Sequence, residues 1–248
     1  MSSVYPIIDS TVPSPNFDSR DGAPVDILLL HYTGMPDDDA AVRWLADPRS
    51  KVSCHYVIHE DGRIVQMVDE AERAWHAGQG SWKGVSDINA RSIGIEICNP
   101  GHEHGYRTFP KAQITSLIAL AKPLIGHHGI AREHVLAHSD IAPERKEDPG
   151  ELFPWDELHA HGVGHYVPPA PIQDGRFMAV GDAGEAVGAL QSMLKLYGYG
   201  LQPTGQFDLQ TELVVKAFQR HFRPDRIDGV ADSSTVSTLH QLLSSLIG

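Results

Sequence analysis

His138-Ser139-Asp140-Ile141-Ala142-Pro143-Glu144-Arg145-Lys146-Glu147-Asp148-Pro149-Gly150 is the stretch on which the reading of this chain turns. It carries two residue types that bind borderline metals, His138 and Asp148, with a cation, Lys146, two residues before the carboxylate. Regular structure would hold the two apart: the ten-residue gap spans about 15 Å as helix and about 33 Å as strand. Zinc ligation needs both ligand atoms within roughly 2.2 Å of one ion. Joint ligation therefore requires the segment to fold back as a loop, and Pro143, Pro149 and Gly150 are residue types that permit it. Where the backbone before Asp148 is locally extended, Lys146 and Asp148 project to the same side. Composition alone equally allows a solvated, charged loop with an incidental histidine.

Upstream, Val25-Asp26-Ile27-Leu28-Leu29-Leu30-His31 is apolar on both faces at positions 28–30. That pattern predicts a strand covered on both sides, as in α/β sheets. His31 falls at its C-terminal end, where open α/β sheets place ligands. Asp37 to Asp39 are suited to cap a helix carrying Val42, Trp44 and Leu45. Asp61-Gly62, between two alternating apolar runs, predicts a hairpin. Trp75 offers a flat apolar face and His76 a polar tip, a pair suited to a sugar–peptide ligand or to a core Trp beside a surface His. Ile93, Ile95 and Ile97 share one face of a strand; Gly94, Glu96 and Cys98 share the other. A lone Glu in such a run is poorly solvated, which raises its pKa toward the range of a general base, unless it pairs with Arg91 or another cation. Asn89 and Asn99 flank this strand as candidate substrate hydrogen-bonders. Ile114, Leu117, Ile118, Ala121, Leu124 and Ile125 recur at helical spacing, with Pro123 placed to kink the helix and His127 and His128 in its last turn. His102-Glu103-His104 lies in a Gly/Pro-rich connector and reads as surface.

Four pieces together resemble one family. "LLLHYTG" (28–34), "AERAWHAG" (71–78), the Glu96 strand and "AHSDIAPERKEDPG" (137–150) are similar to recurring stretches of the zinc-dependent N-acetylmuramoyl-L-alanine amidases, which include the T7-lysozyme-like and AmpD/AmiD-like enzymes. The resemblance implies a mixed central β-sheet flanked by helices, an amidase/PGRP-like α/β fold. It implies one Zn²⁺ per chain held by His31, His138 and Asp148, with Glu96 as general base and Lys146 stabilising the oxyanion. His55 aligns with a site-lining His of the family, and Trp75 and His76 fall in a recurring stretch. The implied substrate is peptidoglycan or a muropeptide, cut between N-acetylmuramic acid (or its 1,6-anhydro form) and L-alanine. A peptidoglycan-recognition protein that binds without cutting is the alternative. Cys54 precedes His55 where some relatives carry an assisting Tyr, and Glu151 stands where many carry Pro.

Composition marks an extended lead-in (1–24), a Pro-rich linker (166–176) and a helical tail (177–248), and the resemblance implies that 25–165 is the zinc amidase domain. In the tail, "TGQFDLQTELVVKAFQ" and "DGVADSSTVSTLHQLL" share a pattern of Gly, an Asp cap, Thr and an apolar stripe. With the Leu190–Tyr197 helix they predict a three-helix bundle, which resembles the peptidoglycan-binding module of wall hydrolases or, alternatively, a docking module. The net charge of −12 argues against nucleic acid and anionic membrane surfaces. No run reaches the ~18 apolar residues of a membrane span. The N-terminal stretch lacks the basic and apolar regions of a secretory signal, so a cytoplasmic setting is the expectation, with the cell envelope as the other possibility. Oligomeric state is left open.

Overall fold

The run at 27–30 lies inside a six-stranded sheet in the structure, a computed structural model that describes residues 7–247. In chain order the strands are β1 (Ser10–Thr11), β2 (Phe17–Ser19), β3 (Ile27–Tyr32), β4 (Tyr56–Ile58), β5 (Ile64–Gln66), β6 (Glu72–Ala74), β7 (Ser92–Ile97) and β8 (Val135–Ala137). The helices are α1 (Asp38–Leu45), α2 (Ile88–Arg91), α3 (Gly101–His104), α4 (Lys111–His128), α5 (His138–Ile141), α6 (Trp155–Ala160), α7 (Glu185–Tyr197), α8 (Leu209–Phe222) and α9 (Ser233–Ile247). The main sheet has the order β1-β5-β4-β7-β3-β8. Its pairs are parallel except the β4–β5 hairpin at Asp61-Gly62. The mixed, helix-flanked sheet is the expected fold class.

Alternation along β3 divides the core. Leu28 and Leu30 join Ile93, Ile95 and Ile97 beneath Leu117 and Leu124 of α4. Ile27 and Leu29, on the other face, belong to a second apolar cluster that runs through Leu136 and Ile141 into Leu190, Phe218 and Leu239 of α7–α9. The carboxyl-terminal helices therefore share buried apolar surface with the sheet domain. Each fully buried Leu of this kind contributes on the order of 2 kcal/mol. Asp208 and Asp232 accept from the backbone N–H of Thr211 and Thr235, so each cap closes the first turn of its helix.

Three local expectations change. The lead-in is extended but not separate: β1 extends the main sheet, β2 pairs with β6, and the buried Arg20 donates to the carbonyls of Glu70, Asn89, Ala90 and Ser92. Residues 1–6 of that stretch lie outside the described residues. Helix α4 continues through Pro123 to His128. Arg91 pairs with Asp26 instead of Glu96.

Candidate metal centre

The parallel β3–β7 pairing sets His31 directly beside Glu96 at the C-terminal end of the sheet. The neighbouring strand β8 runs into α5, whose first residue is His138. Beyond α5 the chain turns back on itself. The Arg145 and Lys146 N–H groups both donate to the Ala142 carbonyl at 3.1 Å, and Ser139 N–H donates to the Asp148 carbonyl at 3.1 Å. The Tyr106 hydroxyl fastens the far side, donating to the Pro149 carbonyl at 2.8 Å and accepting from Leu152 N–H at 3.0 Å. Gly150, at φ +90°, lies where a Cβ would stand 2.2 Å from the Tyr106 hydroxyl oxygen. The closure brings three ligand atoms together. His31 Nδ1 and His138 Nδ1 are 2.8 Å apart, and Asp148 Oδ2 lies 3.1 Å and 3.0 Å from them.

The far nitrogens of both rings have defined partners. His138 Nε2–H donates to the Ala77 carbonyl at 2.9 Å. His31 Nε2 lies 3.0 Å from His76 Nδ1, His76 Nε2 lies 3.3 Å from Ser92 Oγ, and that hydroxyl donates to the Ile88 carbonyl at 2.7 Å. One proton assignment satisfies this chain: Ser92 to Ile88, His76 Nε2–H to Ser92, His31 Nε2–H to His76 Nδ1. It leaves the Nδ1 lone pairs of His31 and His138 facing Asp148. Gly94 makes room for His76, since a Cβ there would stand 2.5 Å from the imidazole Cγ.

Two imidazoles and a carboxylate suit zinc, and their oriented far nitrogens complete the pattern. Tetrahedral zinc with bonds near 2.0–2.1 Å separates its ligand atoms by about 3.3 Å, so the observed trio needs only a few tenths of an ångström of spreading. Burial, then the neighbouring His138, lowers the His31 pKa to about 4, which keeps the imidazole in its ligating neutral form. Burial alone would raise the Asp148 pKa, but the two imidazoles outweigh it and hold its carboxyl well below the ordinary carboxylate range. Glu96 goes the other way. Burial, reinforced by Asp148 and opposed by Lys146, pushes its pKa well above the usual value, and its buried Oε2 has no hydrogen-bond partner among the described residues.

These groups open on a cleft of about 460 Å³, lined by Glu96, Lys146 and Arg145 together with Tyr32, Trp44 and His102. The structure thus gathers His31, Glu96, His138, Lys146 and Asp148. It places the expected substrate contacts differently. His76 borders the cleft, but both its ring nitrogens are engaged by His31 and Ser92. His55 is buried outside the cleft; its Nδ1 accepts from Gly94 N–H and its Nε2 lies 3.1 Å from the Glu72 carbonyl. Burial, then Arg20, lowers its pKa to about 3. Trp75 does not line the cleft; its backbone N–H donates to Ser53 Oγ. Asn89 Oδ1 accepts from the N–H groups of His76 and Ala77, fixing the segment that supplies the Ala77 carbonyl. Asn99 links the Arg107 carbonyl to Gly101 N–H. His102, read as surface, lines the cleft and stacks on Tyr106 with centroids 4.2 Å apart. Sequence reasoning missed Ser92 and Tyr106, which carry no local signal. Gly94 carried one, because a Gly inside a strand often marks a close approach.

A three-donor centre beside a carboxyl group whose buried Oε2 has no hydrogen-bond partner among the described residues, at the C-terminal end of a mostly parallel sheet, has the layout of a metal-dependent hydrolase. The chain belongs to the N-acetylmuramoyl-L-alanine amidase family, whose profile matches residues 21–151. A second profile, described as "Putative peptidoglycan binding domain", matches residues 183–239. The chain is 39% identical over 234 residues to N-acetylmuramoyl-L-alanine amidase AmiD of Escherichia coli K12, covering 88% of this chain and 82% of that protein. It is 35% identical over 170 residues to 1,6-anhydro-N-acetylmuramyl-L-alanine amidase AmpD of Enterobacter cloacae, covering 60% of this chain and 87% of that one. Among solved structures it resembles E. coli AmiD in complex with anhydro-N-acetylmuramic acid-L-Ala-D-gamma-Glu-L-Lys, with TM-score 0.75, 35% identity and coverage of 93% and 98%. It also resembles Pseudomonas aeruginosa AmpDh3 in complex with anhydromuramic pentapeptide, with TM-score 0.74, 29% identity and coverage of 94% and 95%. Among the described residues no helix is long and apolar enough to cross a membrane.

Proposed function

We propose that this chain hydrolyses the amide joining N-acetylmuramic acid, or its 1,6-anhydro form, to L-alanine, with one zinc ion held by His31, His138 and Asp148. The observation that carries the reading is the convergence of those three ligand atoms within 3.1 Å of one another, in a cleft shared with Glu96 and Lys146. Zinc in that position supplies Lewis acidity toward the scissile carbonyl. Glu96, whose pKa burial raises and whose buried Oε2 has no partner among the described residues, takes a proton from the attacking water and returns it to the leaving amine. Lys146 opposes the negative charge that develops on the carbonyl oxygen. The catalytic part is assigned to residues 25–165 and the wall-binding part to 177–248, joined by the stretch 166–176.

Two substrate forms follow from two supports. The similar AmiD and AmpDh3 structures hold anhydromuramyl peptides, which favours soluble fragments. The match at residues 183–239 favours polymer. Incubating the zinc-loaded protein with each, side by side, and following release of free stem peptide tests the reading. Release from at least one substrate, lost on chelation and regained with zinc, is the expected result. A zinc-loaded protein that releases peptide from neither overturns it.

A further inference from the structure

The carboxyl-terminal unit meets the metal-ligand loop at a buried carboxylate. Asp140, two residues after His138, is 1% exposed. Its Oδ2 accepts from Ala137 N–H at 2.9 Å, closing the turn that presents His138. The same oxygen accepts from His221 Nδ1–H of α8 at 2.7 Å, and Oδ1 accepts from the Tyr199 hydroxyl at 2.7 Å. Two of its three hydrogen-bond donors thus come from beyond residue 183. The His221 ring is itself held between Trp155, with centroids 3.7 Å apart, and Phe222, at 3.8 Å. Its Nε2 is buried without a hydrogen-bond partner among the described residues, and the tautomer with hydrogen on Nδ1 leaves no unpaired donor. Next to it, Arg220 reaches Glu147 at 3.3 Å and Glu151 at 3.8 Å, on either side of Asp148 in the chain.

We infer that Tyr199 and His221 are positioning residues for the metal centre: through Asp140 they hold the α5 turn so that His138 faces His31 and Asp148. A buried carboxylate stripped of its donors is costly and draws in water or rearranges, and here the rearranging segment carries a ligand. The helical unit therefore completes the centre in this chain, besides any role in wall binding. The match to the AmpD relative covers 60% of this chain and 87% of that protein, so most of that protein has its counterpart in only part of this chain. The dependence comes from the carboxylate at position 140 and its donors. The inference rests on the zinc amidase reading of the same site.

The test uses the full chain. Tyr199→Phe/His221→Phe removes both donors while keeping an aromatic ring between Trp155 and Phe222. Leu239→Val, in the apolar interior of the helical unit, supplies a destabilised control with Asp140 untouched. Zinc loss to a chelator and kcat and KM on a soluble muropeptide are measured well below every melting temperature. The double variant is expected to release zinc about tenfold faster and to lose about tenfold in kcat with KM little changed. Tyr199→Phe alone shows the same two effects at smaller size, and His221→Asn in place of His221→Phe, which restores an N–H donor, recovers part of the loss in the Tyr199→Phe background. Parent-like zinc retention and kcat in the double variant, or in Tyr199→Phe should the double variant not fold, overturn the inference. So does an equal loss in Leu239→Val. A parent that holds zinc yet cleaves no muropeptide removes the amidase reading, and the zinc-release comparison still decides this one.

Discussion

His31 and His76, 45 residues apart, share a 3.0 Å contact between Nε2 and Nδ1 that leaves His31 Nδ1 facing Asp148 and His138. Partners of this kind fix the tautomer and angle of a metal-binding ring, and their loss typically costs 10–100-fold in metal affinity. His76→Ala is expected to weaken zinc binding by that order, read by competition with a chelator of known affinity. An unchanged affinity would remove the orienting role and return His76 to the substrate face.

Glu96 carries a prediction with two opposite signs. Its folded-state pKa lies above the unfolded value, chiefly through burial. At pH values above the unfolded pKa the native state retains a proton that the unfolded chain has released, so stability of the metal-free protein falls as pH rises from there toward the folded pKa. Glu96→Gln removes that loss. The metal-free variant should melt at a higher temperature than the parent at pH 7, and the gain should shrink toward pH 4. Activity moves the other way: loss of a general base lowers kcat by about 10²–10⁴-fold while zinc content stays at one per chain. A variant with near-parent kcat would exclude Glu96 as the base.

How far the chain could be read from its letters depended on distance along it. The apolar run 27–30, the Asp61-Gly62 hairpin and the Asp208 and Asp232 caps are local patterns, and each appears where periodicity and capping chemistry put it. His31, Glu96, His138, Lys146 and Asp148 were picked out through family resemblance, and the fold brings them to one cleft. The partners of those residues were not legible. Whether Asn89 contacts a ligand or the backbone of His76 depends on a packing 13 residues away. Tyr106 meets the carbonyl of Pro149 across 43 residues, and Tyr199 meets Asp140 across 59. Nothing in the local sequence around Tyr106 or Tyr199 encodes such a meeting.

Asp148 and Lys146 sit two residues apart in one loop and should fail differently. Asp148 is buried against both imidazoles, so Asp148→Ala deletes the proposed third ligand and leaves two nitrogens 2.8 Å apart with no anion between them. Zinc content by elemental analysis should fall well below one per chain. Lys146 lines the cleft with no hydrogen bond or ion pair to its ammonium among the described residues that would be lost on truncation. Lys146→Ala should keep zinc and its melting temperature, and lower kcat more than it raises KM, as for a group that acts mainly in the transition state. A raised KM at unchanged kcat would make Lys146 a substrate anchor instead.

Gly150 tests whether the loop must close as it does. Its φ of +90° disfavours any residue with a Cβ, and the added methyl would meet the Tyr106 ring at 2.2 Å from the hydroxyl oxygen and 2.5 Å from Cζ. The backbone term alone costs about 1–3 kcal/mol, and displacing Tyr106 releases the Pro149 carbonyl and Leu152 N–H that it joins. Gly150→Ala should therefore lower the melting temperature by several degrees, at roughly 2–4 °C per kcal/mol for a chain of this size. Because Asp148 stands two residues upstream, zinc should also leave faster in a chelator chase. Tyr106→Ala in the Gly150→Ala background removes the collision but neither the backbone cost nor the loss of the two hydrogen bonds that Tyr106 makes, so it should not restore the parent's melting temperature. Parent-like stability in Gly150→Ala would mean that the loop closes by another route, and with it the account of how Asp148 is brought to His138 would have to change.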